Sequence, residues 1–168
     1  MAQPGGMQHP GLLHMYIHLM EMSPTPQKAL RAADAIRCLV PDAGHLIHMA
    51  THIDVLCGLY KNAVDGNSQA VVADRKYLAR EGAGNFYALY RCHNFHFKLY
   101  GAMLLGQLQP ALEAADEMIA SLPADMLRIE SPPMADWLKG FVPMKLHVVI
   151  VGNSIRLASE VESGDALG

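Results

Sequence analysis

Apolar residues recur along this chain at helical spacing and not in alternation. Leu13, Tyr16, Ile17 and Met20 line one side of residues 9–22, and Leu46, Ile47, Ile53 and Leu56 one side of the stretch after Gly44. Steps of three and four place such residues on a common helical face. The pattern predicts helices over residues 9–22, 26–40, 44 to a stop at Gly58-Leu59-Tyr60, 61–80, 86–105, 110–122 and 134–150. Proline and glycine punctuate them. Pro10 stands near the first start, and Ser23-Pro24-Thr25-Pro26 breaks the chain, with Thr25 offering a cap to the second helix. Pro41-Asp42-Ala43-Gly44 and residues 81–85 read as loops, Gly106-Gln107 ends the fifth helix and Pro123 closes the sixth. Residues 124–133, carrying Ser131-Pro132-Pro133, read as a looser linker, and Pro143 predicts a kink in a final capping helix. Residues 1–8 read as a flexible lead-in and 151–168 as an irregular tail.

The second helices share a signature. Gln27-x-Ala29-Leu30-x-Ala32-Ala33-Asp34 returns as Gln109-x-Ala111-Leu112-x-Ala114-Ala115-Asp116, and Gly58-x-Tyr60-x-x-Ala63-Val64, followed by Ala70-Val71-x-x-Asp74, stands between them. Small residues at these places, Ala35 and Ala73 included, let helices approach closely. Ala29 and Ala63 are 34 residues apart; Ala63 and Ala111 are 48 apart, which is 34 plus an insertion of 14 near residues 74–86. A helix–turn–helix unit of 34 residues resembles the tetratricopeptide repeat. The run of His and Gly around it is similar to a histidine-rich subfamily of longer repeat proteins, of which this chain would be a partial copy. The resemblance implies an all-α, right-handed solenoid of antiparallel helix pairs, with about three repeats (9–41, 44–74 and 86–123) and a C-terminal helix. One pair cannot bury its apolar face alone, so pairs must stack.

Composition narrows the function. The net charge is −3 with histidine neutral, there is no basic patch for nucleic acid, and no apolar run is long enough to cross a bilayer. Residues 1–8 lack the pattern of a signal peptide. Three cysteines, Cys38, Cys57 and Cys92, without a CxxC pair argue against a disulfide framework or thiolate zinc site and predict buried thiols. Together these features predict a soluble, cytoplasmic protein. Met15, Met20, Met22, Met49 and Met103 read as core filler, and Asp34, Asp74 and Asp116 as solvated or capping groups near helix ends.

Nine histidines change the picture, because they cluster. His14, His48 and His96 occupy one repeat position; His18, His52 and Tyr100 lie one turn later; Gly11, His45 and His93 lie one turn earlier. All stand on the first helix of a pair. The tetratricopeptide resemblance implies that first helices line a concave groove, so these residues and Glu21 would share one wall. His9 reads as a helix-start residue, and His147 extends the register into the last helix. The candidate metal ligands are His14, His18, Glu21, His45, His48, His52, His93 and His96, with Tyr100 and His147 lining the groove. A nitrogen-rich set with one carboxylate suits zinc, iron, copper, nickel or manganese. His14 and His18 can chelate from one helix, but no glutamate follows His14 as in the HExxH metalloproteases.

The reading that follows is a binding scaffold whose concave groove holds a divalent transition metal. One alternative is a metal-dependent enzyme, an oxidoreductase or hydrolase, using open positions in that groove. Another is a plain adaptor that binds a protein or peptide. After Ile150 no alanine signature supplies the last helix with a partner, which predicts a truncated or misread end and self-association through it.

Overall fold

The computed structural model describes residues 5–130 and 133–163, with side chains described to residue 155. Its helices are α1 (Pro10–Glu21), α2 (Leu30–Leu39), α3 (Gly44–Leu56), α4 (Tyr60–Glu81), α5 (Ala88–Leu104), α6 (Leu108–Ala120), α7 (Met134–Lys139) and α8 (Met144–Ser163). The fold is all-α: no strand occurs among the described residues.

Local chemistry sets the boundaries. The His9 ring accepts the Leu12 N–H at 3.2 Å and so caps α1, with Pro10 at the first helical position. The helix-start role expected of His9 therefore holds. Thr25 does not cap the next helix: its own N–H donates to the Ser23 hydroxyl at 3.0 Å, and Pro26–Ala29 form a 3-10 turn before α2. α3 and α5 end alike. Gly58 (φ +74°) and Gly106 (φ +69°) take left-handed conformations. Leu59 N–H then reaches the Asp54 carbonyl at 2.8 Å, and Gln107 N–H reaches that of Ala102 at 2.9 Å. These are Schellman stops, for which glycine carries no Cβ penalty.

Packing follows the alanines. Ala29, Ala32, Ala33, Ala63, Ala70, Ala73, Ala111, Ala114 and Ala115 are buried, while Ala35 is only partly so. Consecutive helices pack in pairs, α1 against α2, α3 against α4 and α5 against α6; α3 also packs on both α1 and α5, so these three lie side by side. One core gathers Leu13, Ile17, Ile36, Met49 and Ile53, and a second Phe95, Leu99, Met118, Leu138 and Val148. A half-buried ion pair ties α2 to α3: the Arg37 guanidinium donates to both oxygens of the buried Asp54 at 2.7 Å.

Several expectations are corrected. The capping helix over 134–150 is two helices, because Pro143 falls in the break between α7 and α8 and not inside a kinked helix. The irregular tail expected from residue 151 is helical as far as Ser163; residues 164–168 lie outside the described residues. The lead-in expected to be flexible forms a 3-10 turn over Gly6–Gln8 against α1 and α2, with residues 1–4 outside the description, as are Ser131 and Pro132 of the linker. Asp74 is not solvated. It is buried and accepts from the Tyr87 hydroxyl at 2.8 Å and the Asn94 amide at 2.7 Å, and burial raises its carboxyl pKa. Asp34 and Asp116 are exposed, as expected. Of the cysteines only Cys92 is buried, its thiol pushed up to about 12 by desolvation; Cys38 is exposed. Met49 fills the core, but Met15 and Met22 face outward. No helix among the described residues is long and apolar enough to cross a membrane.

Candidate metal centre

The side-by-side packing of α1, α3 and α5 brings six of the nine histidines together, in two groups. One nitrogen each from His48, His52 and His93 lie within 4.8 Å of one another, and the same is true of His14, His18 and His45. The closest histidine contact between each two neighbouring helices is offset by one turn. His14 meets His45 at 5.3 Å between ring centroids, and His48 meets His93 at 4.5 Å. In both cases the partner on the next helix stands one turn earlier in the repeat register.

In the first group the ring orientations are fixed from outside. Asn67 on α4 donates its amide N–H groups to the Ala63 carbonyl at 2.8 Å and the Thr51 hydroxyl at 3.1 Å. Thr51 can accept because its own proton goes to the His48 carbonyl at 2.6 Å. The Asn67 oxygen is thereby turned to His48 Nδ1, 2.7 Å away, which must be an N–H donor. Close approach of α3 and α4 is needed for this, and Gly66 permits it: a Cβ there would stand 2.8 Å from the Thr51 methyl group. His52 Nδ1 lies 2.6 Å from the Glu21 Oε2 carboxylate oxygen and is likewise the donor. In a neutral imidazole with a proton on Nδ1, Nε2 carries the lone pair. The two Nε2 atoms of His48 and His52 face each other at 2.9 Å.

Two lone pairs at that distance repel unless a proton or a cation is shared between them. Burial is the main force lowering both pKa values, His48 well below its ordinary value and His52 to about 3, and neighbouring imidazoles add to it. His93 is lowered to about 4, again chiefly by burial. Burial thus favours the neutral form of these rings. Two nitrogens on one cation at ~2.0–2.1 Å stand about 2.9 Å apart when their bonds meet near 90°, and about 3.4 Å apart at a tetrahedral angle. Phe97 packs against all three rings, with centroids 4.8, 4.5 and 4.9 Å from His48, His52 and His93. It covers one side of the group.

The second group is more open. His14 Nε2 and His45 Nδ1 are buried without any hydrogen-bond partner, which is costly for a polar group unless something fills the gap. Desolvation lowers the pKa of both rings, that of His45 to about 4. His14, His18, His45 and His93 border a cleft of about 600 Å³ whose other walls are Phe86, Leu89, Tyr90, Trp137 and Phe141.

The remaining expected residues fall elsewhere. Glu21 lies between the groups as a partner of ring N–H groups, with Oε1 on His18 Nδ1 and Oε2 on His52 Nδ1, both at 2.6 Å. His96 packs against Phe141, 5.9 Å between centroids, and joins neither group. His147 and Tyr100 are exposed and outside both. Tyr90, not singled out in the sequence, lies 4.5 Å from the His45 ring. Asn67 and Phe97 were also missed. Asn67 left a signal, since it interrupts the α4 stripe of Ala63, Ala70 and Ala73 with a polar group that must find partners. Compared with known proteins, the chain matches no family model, no curated protein and no solved structure.

Proposed function

We propose that this chain is a tetratricopeptide-like stack of antiparallel helix pairs that holds a divalent transition metal on His48, His52 and His93. The solenoid reading is supported by the flanking of α3 by α1 and α5 and by the matching Schellman stops at Gly58 and Gly106. One observation carries the metal reading: two imidazoles, each with Nδ1 engaged by an outer acceptor, turn their Nε2 atoms toward each other at 2.9 Å. Metal-bound histidines characteristically donate their other N–H to a carboxylate or carbonyl group. With Glu21 engaged in that outer role, the ligand set is nitrogen only, which suits zinc, copper, nickel or iron better than manganese.

Zinc titration against a competing chelator tests this. The native chain takes up zinc at neutral pH, and His52→Ala or His93→Ala weakens uptake by more than the ~10–100-fold typical of an outer-shell partner, with helical content unchanged by circular dichroism. No uptake, or uptake indifferent to both substitutions, would overturn the reading.

A second reading, a metal-dependent enzyme, is favoured by the cleft of about 600 Å³ beside the histidines, since catalytic sites keep an open coordination position. Cobalt-loaded protein whose visible spectrum shifts on adding azide has such a position. An unchanged spectrum leaves the scaffold reading alone.

A further inference from the structure

Glu21 sits at the end of α1 with both carboxylate oxygens engaged, each by a ring of a different histidine group. On both rings the nitrogen it holds is Nδ1. Nε2 is left free on His52, toward His48, and on His18, which belongs with His14 and His45. A carboxylate so placed is not itself offered to a cation in either group. It sets the tautomer and tilt of one ligand in each. The second group has its own sign of an occupant: His14 Nε2 and His45 Nδ1 are buried and unpartnered. The His14 and His18 rings lie 4.8 Å apart on one helix, and the His14 and His45 rings 5.3 Å apart across two.

We infer that the chain binds a second divalent metal on His14, His18 and His45, and that Glu21 is the positioning residue shared by the two centres. The shared role of Glu21 rests on the first centre proposed above; the second centre stands on its own three rings. The second centre puts all three of its rings on the open cleft, whereas the first puts only His93 there and packs Phe97 over its rings, so the two differ in access.

The pattern of losses distinguishes this arrangement from a single site. In a zinc titration read against a chelator, native protein takes up two equivalents. His45→Ala removes one and leaves the other at native affinity. Glu21→Ala weakens both together, each by ~10–100-fold, the range for losing an outer-shell partner. Glu21→Gln offers one accepting oxygen and therefore spares one equivalent more than the other. Cobalt spectra of the same variants report the ligand field directly, and a melt followed by circular dichroism confirms each variant folds. Uptake of one equivalent by native protein, lost with His52→Ala but not His45→Ala, would overturn this inference and leave the first centre standing. Two equivalents of which Glu21→Ala weakens only one would overturn the shared role. No uptake at all would overturn the metal reading itself.

Discussion

A neutral imidazole has one lone pair, and the partner of its other nitrogen decides where that pair points. In this chain Asn67 and Glu21 make that decision for His48 and His52. The same burial that keeps the rings neutral has a consequence for stability. His45, His48, His52 and His93 have folded-state pKa values below 6.5, near 4 for His45 and His93 and near 3 for His52. Below pH 6.5 the unfolded chain takes up protons at these rings while the folded chain does not, so stability is full above that pH and declines as pH falls toward 4. Chelator-treated protein is therefore expected to melt at a lower temperature at pH 5 than at pH 7.5; a flat or rising profile would mean the rings are charged in the folded state. Arg37 and Asp54 act at the same scale. Asp54 is fully buried, so Arg37→Met leaves its carboxylate without a countercharge and is expected to cost ~3–5 kcal/mol in urea unfolding.

Helix ends carry the next level. Gly58→Ala and Gly106→Ala force a Cβ into left-handed backbone, and each is expected to lower unfolding free energy by ~1–2 kcal/mol without altering zinc affinity. Those two glycines, the proline breaks and the alanine stripes were legible in the sequence because each is a local rule. So was the concentration of histidines on the first helices, since i, i+3 and i+4 spacing survives folding. The partners across helices were not legible. Repeat register aligned His96 with His48, whereas His93 is the ring that meets His48, because sequence does not show how far one helix is shifted along the next. Glu21 read as a ligand because sequence shows a carboxylate near imidazoles but not which atom faces which. α8 read as ending at Ile150 because the alanine signature stops there; Val148 and Val151 continue a packing face without it.

Across the whole molecule, one group bridges α1 and α3 and the other α3 and α5, so two bound metals together staple three helix pairs that otherwise touch only their neighbours. A ligand that binds the folded state alone, at a free concentration ~100-fold above its dissociation constant, stabilises by about 2.7 kcal/mol. For a chain of this size that is a rise in melting temperature of roughly 5–11 °C. Amide exchange in α1, which packs against other helices on one side, is expected to slow most on adding zinc. Uniform slowing, or none, would place the metal elsewhere. The most direct measurement is X-ray absorption fine structure at the zinc edge of metal-loaded protein. The expected spectrum has nearest neighbours dominated by nitrogen at ~2.0–2.1 Å with the outer scattering of several imidazole rings. A sulfur shell near ~2.3 Å, or light atoms without imidazole scattering, would contradict it.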